Sequence, residues 1–286
     1  MWAEKVSGPI LLTEKIVREA NSGASIRIEE GAAGLVLVKT MPNDNRSNAN
    51  IQKQLDFRPT GNVLAANILM QEQKGNNIEL MMPLLHGIVG ADFSRDLGRI
   101  EAAIFKKSLS GYIQHIVASS SICEFDRSVV DDKLNQLRSN SNFDKSQIKL
   151  LEHLSHKLAY IDCYPKGVCH GDLTLSNIIF QPKSNKVFLI DFLDVFIDSY
   201  LIDLIKLEQD LIYGWSNRFL AASDQLNGDI LCSYLLDVCK FDDRNRWHDF
   251  YVILSLLNTL RIVPYCKDSV TYNWIKSTIA SQEMLL

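Results

Sequence analysis

VCHGDLTLSNIIFQPKSNKVFLIDF, residues 168–192, is the stretch on which the reading of this chain turns. It sets His170-Gly171-Asp172 ahead of Asn177 and, after an apolar run, closes on Ile190-Asp191-Phe192. Residues 178–180 and 187–190 are apolar and rich in β-branched side chains, which predicts two strands joined by a turn over 182–185. Such a hairpin returns Asp191 to the edge that already holds Asp172 and Asn177. Two carboxylates and an amide at one edge are the set that phosphoryl transfer from a nucleotide requires. One carboxylate orients an acceptor hydroxyl and takes its proton, while the amide and the other carboxylate hold magnesium against the phosphates. An isolated HGD is more often a turn or a cap, so the weight lies on the three groups together.

The pattern HGD-x4-N followed by IDF resembles the aminoglycoside phosphotransferase and choline kinase group, relatives of the protein kinases. Protein kinases carry arginine where Gly171 stands, so the match favours small-molecule kinases. The resemblance implies an α+β, bilobal, protein-kinase-like fold. A small antiparallel-sheet lobe with its linker would occupy residues 1–85 and bind nucleotide. A larger, mostly helical lobe over 86–286 would carry the catalytic loop and the substrate pocket. ATP is the implied donor, with GTP as the other possibility, and Mg2+ the implied metal on Asn177 and Asp191. Asp172 is the expected catalytic base, and His170 braces its loop.

Outward from this stretch, the first 85 residues read as a small sheet. Strands are predicted at 15–20, 26–29 and 35–40, with a small-residue loop at 21–25 between the first two. Ser22, Gly23, Ala24 and Ser25 let backbone N–H groups come close to phosphates, although a plain hairpin turn explains the same residues. Lys39 ends the run Val36-Leu37-Val38, where the resemblance implies a lysine on the α- and β-phosphates. The family places an acidic partner for that lysine on the next helix. The candidate helix at 48–57 offers Gln52, Gln54 and Asp56 but no glutamate, so that either Asp56 or Glu72 substitutes or a weaker amide contact holds the lysine. Strands over 63–71 and 78–84 bracket the turn Lys74-Gly75-Asn76-Asn77. Residues 81–84, Met82 and Leu84 among them, lead into the linker that holds adenine in kinase-like folds; ordinary edge-strand packing is the competing reading.

From Asp92 the apolar period changes to between three and four. Helices are predicted over 93–116 (one, or two joined near Gly111), 129–137 and 144–161. After Asp191, Asp198 reads as the cap of the next helix, and Asp203 inside that helix as a buried, hydrogen-bonded carboxylate. A further helix running from Trp247 to Ile262 is apolar nearly all round and so buried. Arg261 interrupts it, which calls either for pairing with an aspartate such as Asp203 or for a grip on an anionic substrate group. Trp215 and Arg218, with Tyr213, form a second candidate substrate cluster.

Composition narrows the partners. With 47% apolar residues and a net charge of −4, the 286-residue chain can build a substantial core and offers no global basic surface for nucleic acid or anionic membrane. No apolar run is long enough to span a bilayer and no signal peptide is evident. Six scattered cysteines without a C-x-x-C pair read as small hydrophobes of a reducing compartment, so a cytoplasmic protein is expected. The expected acceptor is a small hydroxylated metabolite (a sugar, amino alcohol or hydroxy acid) feeding surface-glycan or lipid precursors. A nucleotide-binding pseudokinase acting as an interaction module is the alternative, and the sequence leaves oligomeric state open.

Overall fold

The structure, a computed structural model, describes residues 18–19, 24–31, 34–220, 222–240 and 245–286. Its N-terminal part is an antiparallel sheet of five strands in the order β1-β2-β3-β6-β5. These are β1 (Arg18–Glu19), β2 (Ser25–Gly31), β3 (Gly34–Pro42), β5 (Met70–Lys74) and β6 (Asn77–Pro83). Along β3, Val36 and Val38 are buried while Lys39 points to the other, partly open face, as the two-residue period of a strand demands. Helix α1 (Asn45–Asp56) begins at Asp44, whose carboxylate accepts from Ser47 N at 2.7 Å. Ile51 of α1 packs with Ala24, Met41, Ile78 and Leu80 in a small core of its own.

The predicted strand over 63–71 divides in two. Only β5 belongs to the first sheet; β4 (Val63–Ala65) instead runs parallel to β11 (Lys186–Leu189), with Val63 opposite Val187. Its partner lies more than a hundred residues away, so no local pattern announces the break. The second sheet has the order β4-β11-β10-β7, where β7 is Ile88–Val89 and β10 is Ile178–Gln181. The β10–β11 hairpin pairs Ile178 with Leu189, and Asn185 turns it at a φ of 53°.

The rest is helical: α2 (Phe93–Asp96), α3 (Arg99–Ala118), α4 (Arg127–Arg138), α5 (Lys145–Leu158), α6 (Tyr200–Leu211), α7 (Ala222–Leu235), α8 (His248–Leu260) and α9 (Ser269–Glu283). A short ribbon of β8 (Ser121–Glu124) and β9 (Cys163–Lys166) follows α3 and α5 respectively. Helix α3 continues unbroken through Gly111. Helices α6 and α8 form the centre. Every residue of α8 from Phe250 to Leu260 is buried, and so is every residue of α6 except Lys206. Helices apolar on all sides must be enclosed by others, and here α3, α5, α7 and α9 enclose them. The polar residues among them are matched: Asn258 donates to Gln209 Oε1 at 2.9 Å, and Gln282 bonds both Ser255 and Thr259. This is the α+β bilobal architecture that the sequence implied. All six cysteines are free thiols, and no helix among the described residues is long and apolar enough to cross a membrane.

Candidate active site

The catalytic segment lies between the second sheet and α6. Gly171 has a φ of 88°, and a Cβ there would collide with Leu193 O. Glycine is therefore required by both backbone conformation and the close passage of the chain after Asp191. His170 is fully buried. Its Nδ1 accepts from Asp172 N at 3.2 Å, which leaves Nε2–H to donate to Ile190 O at 2.8 Å. Burial pushes its imidazole down to about 4, so the ring is neutral and ties the loop to the end of β11. Phe192 stacks on it at 4.3 Å.

Asp172 is half-buried at the head of this loop. Burial alone would raise its pKa, but the Lys206 ammonium and the Asn177 hydrogen bond hold it below the usual carboxylate range. Lys206 Nζ lies 3.0 Å from Asp172 Oδ1. Asn177 Nδ2 donates to Asp172 Oδ2 at 2.9 Å and to its backbone oxygen at 2.8 Å, which turns the amide oxygen of Asn177 away from that carboxylate. Asp191 stands at a φ of 59°, an uncommon conformation for a residue with a side chain. Its Oδ1 receives Lys39 Nζ at 2.6 Å. The sequence-identified Lys39, His170, Asp172, Asn177 and Asp191 thus come together where the two lobes meet. An ammonium, two carboxylates and an amide converge there. Among the described residues there is no group of three or more His, Cys, Asp or Glu side chains able to hold a metal by themselves. A cation at Asn177 and Asp191 would need ligand oxygens from the nucleotide to complete its shell, as magnesium does on phosphates.

The acidic substitutes expected for Lys39 do not serve. Asp56 accepts from Gln52, and Glu72 pairs with Lys74. Helix α1 engages the site differently. Its Lys53 reaches Asp198 at 2.8 Å and Leu193 O at 3.2 Å, and Asn50 Oδ1 accepts from Asp194 N at 2.5 Å. Phe57, just past α1, packs edge-on against Phe192 at 5.4 Å. A cation on α1 thereby holds the segment after Asp191 directly. Asp198 is consequently not the cap of α6; Ser199 is, through Leu201 N. Lys53→Met removes three contacts of a largely buried ammonium (Asp198, Leu193 O and Cys169 Sγ at 3.4 Å) and should cost about 2 kcal/mol of stability. Amide exchange faster at 193–198 than in the rest of the C-terminal lobe would show that the loss is local.

Helix α6 holds Asp203 buried and hydrogen-bonded, as expected, and adds Lys206 and Asp210, which sequence reading missed. Asp203, Lys206 and Asp210 lie on one helical face at spacings of three and four. Asp203 accepts from His170 N and Gly171 N, both at 2.8 Å, and from the Tyr112 hydroxyl at 3.3 Å. Burial nonetheless raises its pKa to about 6. Asp210 accepts from Leu175 N at 2.5 Å and from Ser216 N at 2.8 Å. One buried helix face thus grips the loop before, at and after its base. The signal was a set of charges at helical spacing inside an otherwise apolar helix.

The remaining candidates fall out as follows. Ser22 and Gly23 lie outside the described residues. Ala24 is buried in the small core, and Ser25 is already in β2, opposite Glu19 and Thr40. Met82 packs against the same core and receives Gln54 Nε2 at 3.7 Å, while Leu84 N donates to Leu35 O at 3.1 Å. Arg218 stacks on Trp215 at 3.5 Å and donates to Trp215 O and Thr271 Oγ1, a latch between the loop after α6 and α9. Trp215 itself packs edge-on against Trp274. Arg261 does not pair with Asp203; its guanidinium lies 5.5 Å from the Phe196 ring.

The lobe junction thus carries two aspartates, an asparagine and a lysine in one place. Residues 121–236 match the model of the phosphotransferase enzyme family, APH. No curated protein matches. Among solved structures the chain is similar to aminoglycoside phosphotransferase APH(4)-Ia, with 10% identity over 96% of this chain and 94% of that one, at a TM-score of 0.60. It is also similar to APH(2")-IIia in complex with GDP and kanamycin, with 13% identity over 97% and 94% and a TM-score of 0.58. Amicoumacin kinase hAmiN in complex with AMP-PNP, Ca2+ and Ami shares 13% identity over 94% and 88%, at a TM-score of 0.57. At these identities the likeness is one of fold.

Proposed function

We propose that this protein transfers the γ-phosphoryl group of ATP to a hydroxyl of a small metabolite. The observation that carries this reading is the meeting of Lys39, Asp172, Asn177 and Asp191 at the lobe junction. The nucleotide would sit in the lobe of residues 1–85, its adenine near Met82 and Leu84 and its phosphates on Lys39 and the loop at 22–25. Asn177 and Asp191 would hold magnesium, which when bound neutralises the phosphate charge. The Lys39–Asp191 contact fits this use, since each group carries the charge that the other's ligand would replace. The acceptor oxygen bonds to the γ-phosphorus as the bond to the bridging oxygen breaks; ADP leaves with that oxygen, and the hydroxyl proton passes to Asp172. Lys206, beside Asp172, stands where it would stabilise the transferring group. Most of the acceleration would come from positioning and charge. The nucleotides bound in the similar structures, AMP-PNP and GDP, support nucleotide use and leave ATP and GTP to be compared directly.

The test is a thermal shift with ATP and with GTP, each with and without magnesium, on the wild type and Asp191→Ala. Ligand at a hundred times its dissociation constant adds about 2.7 kcal/mol to the folded state. A magnesium-dependent shift that the substitution removes is expected. A wild type indifferent to both nucleotides would instead favour an interaction module that has lost catalysis, to which the absence of a glutamate partner for Lys39 also points.

A further inference from the structure

Two lysines of the N-terminal lobe grip opposite ends of the segment that begins at Asp191. Lys39 of β3 meets Asp191 at 2.6 Å, and Lys53 of α1 meets Asp198 at 2.8 Å. The Lys53 ammonium also lies 3.2 Å from Leu193 O and 3.4 Å from Cys169 Sγ. Cys169 leads into the catalytic loop, and Leu193 follows closely on Asp191. One ammonium therefore joins the two stretches of backbone that carry Asp172 and Asp191. Those stretches also meet directly, Leu193 N donating to His170 O at 3.0 Å. Asn50, one turn before Lys53 on α1, adds a second hold by accepting from Asp194 N.

Asp191 needs such support. Its φ of 59° persists in a residue with a side chain only where the surroundings over-determine it. In this structure Lys39 supplies part of that constraint. On the proposed reading, however, Lys39 turns to the phosphates and Asp191 to a cation. Their ion pair is then given up when nucleotide binds. The ion pair of Lys53 involves neither group, so it is retained. The arrangement inverts the expected one. Helix α1 carries a cation where an acid was implied, and its target is the segment after Asp191 instead of Lys39.

We propose that Lys53 is a positioning residue for the metal site. Through Leu193 O and Asp198 it keeps Asp191 in the conformation from which that carboxylate and Asn177 can share a cation. The proposal rests on the phosphotransferase reading for the presence of that cation. It makes a demand that simple electrostatics does not. Removing a positive charge near a cation site should, by Coulomb's law alone, tighten the site. Loss of Lys53 should instead weaken it, because the carboxylate is no longer held in place.

The test reads binding rather than turnover. ADP is titrated calorimetrically into the wild type and its variants, without magnesium and then across a magnesium series, at a temperature where each is folded. The wild type should bind ADP more tightly as magnesium rises. Lys53→Met should keep its magnesium-free affinity and need about tenfold more magnesium for half of the gain. That is the lower end of what losing an outer support costs a metal site. The double variant Lys53→Met/Asp198→Asn removes the pair without stranding either charge, and should show the same rise. It stands in where the single variant folds poorly. An unchanged or lowered magnesium requirement in these variants would overturn the proposal. So would a magnesium-free affinity that falls as far as the affinity with magnesium, which would make Lys53 a support for the whole nucleotide site. A wild type that binds no ADP at any magnesium concentration would refute the phosphotransferase reading, and the proposal with it. That failure shows in the wild type alone, before any variant is compared.

Discussion

Asp172→Asn should lower turnover about a thousandfold, within the range by which a positioned base accelerates proton transfer, while leaving MgATP binding in place. The substitution keeps the size of the side chain and its neighbours. Asn177 Nδ2 can still donate to the new amide oxygen, and the hydrogen bond from Asp172 N to His170 Nδ1 is untouched. What disappears is the charge that accepts the proton and the ion pair to Lys206. Because Lys206 and Asn177 hold Asp172 ionised through the neutral range, the carboxylate would need no proton removed before serving as the proposed base. The measurement is steady-state ADP release beside a nucleotide thermal shift. Turnover unchanged in the variant would take Asp172 out of the chemistry, and a lost nucleotide shift would mean that the residue holds the site together instead.

Asp203→Ala should have the largest effect on stability, about 4 kcal/mol. It strands the N–H groups of His170 and Gly171 in a buried place, and each unsatisfied donor costs about 1–3 kcal/mol. The Tyr112 hydroxyl loses its acceptor as well. Asp203→Asn keeps one acceptor oxygen and should cost about half as much. Since native domains hold roughly 5–15 kcal/mol in all, the alanine variant should melt many degrees lower and give poor yields of folded protein. Chemical denaturation of the pair checks the order, and equal stability of the two variants would show that the two N–H groups find other partners.

The parts of this molecule that follow local rules were legible in the sequence. The β10–β11 hairpin lies where residues 178–190 placed it, because two apolar, β-branched-rich runs flank a short polar turn. Helices α4 and α5 match their periodicity to within a few residues, α5 being capped by Asp144. The meeting of Asp172, Asn177 and Asp191 followed from the hairpin that links them. What failed depended on distant partners. Residues 63–65 look like the rest of a strand to 71 and yet pair with β11. Asp198 preceded a helix as a cap should, but Lys53 claims it across the cleft. Lys206 and Asp210 were passed over for a simpler reason: charges within an apolar helix are ordinarily its wet face, and α6 has none.

That absence has a kinetic consequence. The N–H groups of His170, Gly171 and Leu175 are all held by carboxylates of α6, a helix sealed in the centre of the C-terminal lobe. Local opening of a surface loop cannot release them, so their protons should exchange with solvent only as fast as the lobe itself unfolds. The catalytic loop would then number among the slowest-exchanging segments of the chain. The reacting geometry and the integrity of the fold would be lost together, in a single cooperative step.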